Sequence, residues 1–314
     1  MAETPRVAIA CQGGGSLTAY TAGVLEEVLR HPEAADVVAL SGTSGGAMCA
    51  ALAWDGLVAD DPDRAIENLC GFWADVGASD PFDRAFNEGL VRYVALEETG
   101  VPTPEVSPYD NPFASWGRRR LRRTLERYVD FEAAAESPVD PAIRVGAVDV
   151  TEDSFRVFAD EEVTADAVLA SAALPSLFPA VEIDGRLYWD GLLSENPPVR
   201  TLAELNPDEI WVVQVDGIEH AAEPRTTKEI TDRRNLLAGN LSLNQELQSI
   251  EFVNGLVESG VLDDERYTDI RVERVVLEDE ALGYAEKLDR DADFLAALYE
   301  KGEAEAAAFL ESRS

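Results

Sequence analysis

Lysine is scarce in this chain. Of 314 residues only Lys228, Lys287 and Lys301 carry it, and none precedes position 228. A G-x-x-x-x-G-K-[ST] phosphate loop is therefore excluded from the first two thirds. Basic residues number 26 against 61 acidic ones, a formal net charge of −35. Such a surface repels phosphate backbones, so nucleic acid drops out as a partner. The acidic, lysine-poor but arginine-containing balance reads as adaptation to high salt, where screening relieves self-repulsion. Cysteine is sparse too. Cys11, Cys49 and Cys70 are odd in number and form no C-x-x-C, which leaves no disulfide framework and no zinc knuckle. Their apolar surroundings suggest reduced core thiols. No run approaches the roughly 18 apolar residues of a membrane span, and MAETPRVAIACQ has neither the basic nor the apolar region of a signal peptide. The expectation is a soluble, cytoplasmic protein.

What is present is apolar enough, at 46% hydrophobic residues, to bury a sizeable core. Arg6–Cys11 (RVAIAC) is a short apolar run followed by Gly13-Gly14-Gly15 and a helical pattern from Thr18 to Leu29. Val37–Ser41 repeats the grammar: a short run, then Gly42-Thr43-Ser44-Gly45-Gly46, then a small-residue helix to about Leu57. Strand, glycine turn and helix in succession predict an α/β fold with a parallel sheet. Further helices are expected over Asp63–Val76, Phe82–Leu96, Trp116–Tyr128, Ala165–Ala173, Thr226–Ser259 and Asp291–Ser312, with a loop over Glu98–Ala114. Strands are expected at Ile143–Val150, Ser154–Phe158, Glu209–Val215 and Ile270–Leu277, and a hairpin turning at Asp184-Gly185. Nothing reads as a linker or repeat, so a single domain over residues 1–314 is expected, with core motifs in 6–200 and an extension in 201–314 packed on it.

Gly42-x-Ser44-x-Gly46 fits the nucleophile-elbow pattern, in which a serine is pushed outward by a tight strand-to-helix turn. Bulky residues two positions either side would clash, and the helix N-terminus favours developing negative charge. A nucleophilic serine needs a base. The chain's histidines are only His31, in a His-Pro turn, and His220, in an acidic loop. Both read as surface residues, and a Ser-His-Asp triad would require His220 to fold back to Ser44. The other candidate is a carboxylate acting directly. Asp190, in Tyr188-Trp189-Asp190-Gly191, follows an aromatic strand. It would need burial to become basic and a well-held oxyanion to work against. Gly13-Gly14-Gly15 can turn several N–H groups toward one point. A dinucleotide fingerprint there would require glycine where Thr18 stands.

Three stretches in this order, RVAIACQGGGSLTAYTAGVLEEVL, LSGTSGGAMCA and VLASAALPSLFPAVEIDGRLYWDGLLSENPPV, resemble the patatin-like phospholipase family. SPYDNPF, the long TTKEITDRRNLL helix and EKLDRDADFL carry the likeness through most of the chain. The resemblance implies a three-layer fold, with a central, mostly parallel sheet between helices, and a Ser–Asp dyad. On that pattern Ser44 is the nucleophile, Asp190 its base, and Gly13, Gly14, Gly15 and Ser16 the oxyanion hole, with Gly42 and Gly46 framing the elbow. The implied activity is hydrolysis of fatty-acyl esters, with a lipid ester as partner, contact with a membrane periphery, and neither metal nor cofactor. Acyl transfer through the same acyl-enzyme, or a lipid-binding role with turnover lost, are the alternatives. Two departures stand out: Thr18 replaces a further glycine of the loop, and Leu192 follows Asp190-Gly191 where the family has a small residue.

Other features have plainer readings. Arg118, Arg119, Arg120, Arg122, Arg123 and Arg127 form the one basic cluster, either a lipid-headgroup contact or a helix face paired with the surplus acids. Asp289, Asp291, Asp293 and Glu300 share the spacing of a calcium loop, but Phe294 stands where that loop needs glycine, so an acidic helix start is expected. Trp54, Trp73, Trp189 and Trp211 are expected to fill the core or line an acyl pocket.

Overall fold

In a computed structural model, residues 4–101, 104, 106–138, 140–217, 223–263, 267–279 and 282–313 are described. The elements are β1 (Arg6–Cys11), α1 (Ala19–Arg30), β2 (Asp36–Gly42), α2 (Gly45–Leu57), α3 (Pro62–Val76), α4 (Pro81–Glu98), α5 (Pro112–Tyr128) and α6 (Phe131–Ala135). They continue with β3 (Ala142–Asp149), β4 (Ser154–Ala159), α7 (Ala165–Ser171), β5 (Val181–Ile183) and β6 (Arg186–Asp190). The last are α8 (Arg200–Ala203), β7 (Glu209–Gln214), α9 (Thr227–Glu258), β8 (Arg271–Val276) and α10 (Ala292–Glu311). Eight strands form one sheet in the order β5-β6-β3-β2-β1-β7-β8, with β4 on the remaining edge of β3. The run β3-β2-β1-β7-β8 is parallel, and β4, β5 and β6 are antiparallel additions.

Alternation inside the short apolar runs decides how the layers form. In β1 the side chains of Val7, Ile9 and Cys11 enter the larger core, together with Trp211 and Val213 of β7. Ala8 and Ala10, with Ala39 of β2 and Ile210 and Val212 of β7, face the opposite way. There they meet Leu243, Leu247 and Ile250 of α9 and Leu202 of α8. Both faces of the central strands are thus covered, which is why their sequences run apolar without a break. Alanine on the second face lets the long α9 lie close to the sheet, while α1, α2, α3 and α10 pack their larger side chains on the first.

Helix starts follow local capping chemistry. Asp61-Pro62, Asp80-Pro81 and Asn111-Pro112 each place a side-chain acceptor on the first free amides and a proline where no N–H is needed. The last of these starts α5 at Pro112, earlier than the periodicity from Trp116 suggests, and shortens the expected 98–114 loop. Thr226 and Glu229 form a capping box that opens α9. Asp291 caps α10, which accounts for the acidic run there. Asp184 and Gly185 adopt φ of 51° and 78°, the left-handed pair of a tight hairpin turn between β5 and β6. One expectation is corrected: Cys11 and Cys49 are buried, but Cys70 lies on the outer face of α3 and is exposed. Trp54 and Trp211 are core residues. Among the described residues no helix is long and apolar enough to cross a membrane.

Candidate active site

The sheet itself brings Ser44 and Asp190 together. β2 runs parallel to β3 and ends with Gly42 beside Val145. β6 runs antiparallel to β3 and ends with Asp190 beside Ala147. The two strands therefore approach each other head-on along one edge of β3, with Gly146 between their last partners. Residues 146 positions apart in sequence are delivered to the same point by register.

At the end of β2 the chain turns sharply. Ser44 has φ 55° and ψ −125°, a strained conformation for a side-chain-bearing residue, and it caps α2. A Cβ on Gly42 would lie 2.5 Å from the Gly46 carbonyl, and one on Gly46 would lie 2.2 Å from the Cys11 carbonyl. The elbow spacing thus records two backbone contacts that no larger residue allows. The segment closing α7 ties the turn down: Ser44 N–H donates to Ser171 Oγ at 2.9 Å, and Ser171 Oγ–H donates to the Gly146 carbonyl at 2.6 Å. Two residues on, the Ala173 carbonyl accepts the Asp190 N–H at 3.1 Å. One short stretch therefore fixes the backbones of both residues.

Asp190 is 3% exposed. Burial pushes its carboxyl up to about 7, against the pull of the Leu192 N–H, the Ser44 hydroxyl and the charge of Lys287. The Leu192 N–H donates to Asp190 Oδ1 at 2.8 Å, and the nearby Ser44 hydroxyl draws the same carboxyl toward its charged form. The Leu192 departure acts through the backbone, so the larger side chain does not remove the bond that holds the carboxyl. It projects instead into the neighbouring cavity wall.

The glycine loop approaches from β1. Gly13 N–H donates to Asn196 Oδ1 at 2.7 Å, and Asn196 Nδ2 returns to the Gly13 carbonyl at 3.4 Å. Gly13 therefore has its amide committed to Asn196, whereas the amides of Gly14, Gly15 and Ser16 have no acceptor among the described residues. Thr18 closes the turn from within, its hydroxyl donating to the Gly15 carbonyl at 2.6 Å. The loop after Asp190 braces both motifs: Asn196 holds the glycine turn, and the adjacent Glu195 carbonyl accepts the Thr43 hydroxyl at 2.7 Å. Gln12 Oε1 accepts the N–H groups of Val215 and Asp216, joining the loop to the end of β7.

These groups line the floor of a cavity of about 1160 Å³. Its lining is apolar at Met48, Phe72, Trp73, Leu121 and Phe178. It is charged at Glu98, Asp216, Arg233, Lys287 and Arg290. Lys287 pairs with Asp216, and Arg290 with Asp83 at 2.7 Å. Such a volume, lined by both apolar and charged side chains, suits a long amphiphile. His31 is remote from it: its ring contacts Glu27 and Glu33 at the end of α1. His220 lies outside the described residues. Among the described residues no group of histidine, cysteine and carboxylate side chains is arranged to hold a metal ion.

Two supporting residues, Ser171 and Asn196, carry no motif that sequence reading can single out. Ser171 is one of many small residues in an alanine-rich helix end, and Asn196 could pass for a turn residue before Pro197. Their only signal is that both are polar within otherwise apolar or proline-rich stretches.

The family model for Patatin-like phospholipase matches residues 9–203. The chain belongs to the patatin-like phospholipase family. That match takes in the elbow, the glycine loop, Asp190 and Asn196, and it supports lipid hydrolysis as the activity. No curated protein matches the sequence. Among solved structures, the patatin-like chain is similar to VipD from Legionella pneumophila, at 14% identity and a TM-score of 0.47, over 99% of this chain and 67% of that one. It is also similar to the type III effector protein ExoU, at 15% identity and a TM-score of 0.38, over 98% of this chain and 53% of that one. The chain thus spans about half the length of ExoU.

Proposed function

We propose that the protein is a serine acyl hydrolase that cleaves fatty-acyl esters of lipids with a Ser44–Asp190 dyad. The observation that carries this reading is the buried Asp190 carboxyl, raised to about 7 beside the Ser44 hydroxyl, both lining an amphipathic cavity. Asp190 accepts the hydroxyl proton as Ser44 Oγ attacks the ester carbonyl. The amides of Gly14, Gly15 and Ser16 face the developing oxyanion, and the α2 N-terminus adds its dipole. The proton on Asp190 then passes to the departing alcohol, which leaves an acyl group on Ser44. Water, deprotonated by Asp190, attacks that acyl group, and the fatty acid leaves as Ser44 regains its proton. A carboxylate near its ordinary value is too weak a base for these steps at neutral pH, and burial corrects that. The acyl chain runs along the Met48, Phe72, Trp73 and Phe178 side, with the polar remainder toward Lys287 and Arg233.

Ser44→Ala should lower kcat on a short-chain aryl ester by roughly 10³-fold or more, and Asp190→Asn by a similar factor. Wild-type protein should label on Ser44 with a fluorophosphonate. Undiminished turnover by either variant defeats the assignment. Because Asp190 must be ionised to act, kcat/KM should climb as pH passes through about 7 and level off above it. A profile already flat from pH 5 upward argues against this base.

A further inference from the structure

Around the cavity mouth large apolar side chains stand in solvent. Phe82 is 75% exposed, Tyr109 67%, Phe113 55% and Trp116 40%. They are contiguous rather than scattered. Phe82 lies one turn before Phe86 on α4, and Phe86 packs on Phe113 with ring centroids 5.4 Å apart. Phe113 and Trp116 are three residues apart on α5, and both, with Phe86, line the cavity that holds Ser44. Tyr109 reaches the same rim, its hydroxyl oxygen accepting the Ala180 N–H at 3.2 Å, close to the cavity-lining Phe178. Isolated exposed apolar residues are ordinary, but a continuous aromatic rim at a cavity entrance is not.

The same helix carries the basic cluster, and the structure divides it. Arg120 pairs with Asp83, Arg122 with Glu126 and Asp166, and Arg127 with Asp75. Arg118 donates to the Pro179 and Ala180 carbonyls. These side chains are internal ties, as the plainer reading of the cluster expects. Arg119 and Arg123 are different: both are exposed, and neither has a carboxylate partner among the described residues. In a chain with more than twice as many acids as bases, they leave positive charge uncompensated beside the aromatic rim. They recur with Phe113 and Trp116 at helical spacing, on the flank of α5 beside the cavity-lining face.

We propose that this rim, Phe82, Tyr109, Phe113 and Trp116 with Arg119 and Arg123, is a docking face for the surface of an anionic lipid aggregate. This rests on the lipid-hydrolase reading. Two arguments select that occupant. The face is continuous with the mouth through which an acyl ester must enter. It also presents arginines without a carboxylate partner on a molecule of net charge −35. Aromatic side chains suit the headgroup boundary because their rings bury while their polar edges stay wet. Docked this way, the protein would draw an acyl chain from the aggregate into the cavity without exposing it to water.

The test separates docking from turnover. Full-length Ser44→Ala protein, which cannot degrade the vesicles, is co-sedimented at one fixed salt concentration. The vesicles are phosphatidylcholine alone or phosphatidylcholine with phosphatidylglycerol. Adding Arg119→Gln and Arg123→Gln should weaken partition onto the anionic vesicles on the order of thirtyfold and barely change the neutral ones. Phe82→Ser should weaken both by roughly tenfold. In the Ser44 background the same changes should leave hydrolysis of a water-soluble ester as it was, since none of the three side chains lines the cavity. Partition unaffected by all three substitutions, or no binding of the parent to either vesicle, overturns the docking face. Vesicle binding that responds as expected, in a protein without esterase activity, overturns the hydrolase reading and leaves the docking face standing.

Discussion

At the floor of the cavity, Ser44, Asp190 and Gly13 are held by hydrogen bonds to the main chain or to buried side chains such as Ser171 and Asn196. Along the walls, α4, α5 and α9 offer many partly exposed side chains, and an ion pair between Arg120 and Asp83 joins α5 to α4. The difference follows from what each part must do. On the proposed reading the floor holds the reacting groups, and a reacting group displaced by an ångström loses much of its effect; strand ends whose register is fixed by the whole sheet meet that demand. A wall that receives a flexible chain needs only volume and polarity, and helices joined by loops supply that with less constraint. Substitutions at the floor should therefore change rate, while substitutions in the walls should change preference.

The sharpest way to break this division is Asn196→Ala. The side chain reaches no substrate position, yet it clamps Gly13 and with it the donors that follow. We expect kcat to drop by about 10²-fold with KM little changed, on a scale comparable to loss of one oxyanion donor. Fluorophosphonate labelling of Ser44 should slow in parallel while the circular dichroism spectrum is retained. A variant that keeps kcat but raises KM would place Asn196 with the walls. Trp73→Ala probes the wall proper. Enlarging the apolar side should shift the preferred acyl chain length upward, changing the ratio of kcat/KM for long over short p-nitrophenyl esters by roughly tenfold. An equal loss on every chain length would count against a separation of floor and wall.

The smallest effect concerns stability. Burial, aided by the nearby Glu246, pushes the Glu195 carboxyl up to about 7. Burial raises Glu246 as well, against the amides of Arg200 and Val199. With Asp190, these groups hold their protons more tightly when folded than when unfolded. Their contribution to stability is thus fully present below the ordinary carboxylate range and is lost as pH rises through about 7. Asp83 behaves oppositely. Despite its burial, bonds from Arg290 and Arg120 hold it low, so its contribution fades as pH falls. Glu195→Gln should reduce the loss of stability between pH 5 and pH 8 by roughly 1–2 kcal/mol, read from urea midpoints at the two values. An unchanged pH dependence would mean that Glu195 is not the group responsible.

Much of the floor is legible in the amino-acid sequence. The elbow reads from Gly42, Ser44 and Gly46 because two backbone contacts exclude side chains there, and such exclusions leave a local signature. Asp190 stands out as a carboxylate in an apolar, aromatic stretch. Less visible are groups whose role depends on distant partners. Ser171 looks like any helix-end serine, and Asn196 like a turn residue. The exposure of Cys70 escapes a reading of its neighbours because a short apolar context does not say which side of a helix faces out. The basic cluster also looks uniform in sequence, although three of its arginines find acids on other elements or one turn away and two do not.

The sequence by itself determined the order of strand, glycine turn and helix, the alternation that buries both faces of the sheet, and the residue types able to do acyl chemistry. Those properties live within a few residues of one another, where sterics and periodicity act directly. Only the tertiary structure decided that β2 and β6 meet end to end on β3, that Gly13 gives its amide to Asn196, and that burial makes Asp190 basic. Each of these depends on which distant segment supplies the neighbour, and neither dielectric nor register is a property of a local stretch of chain.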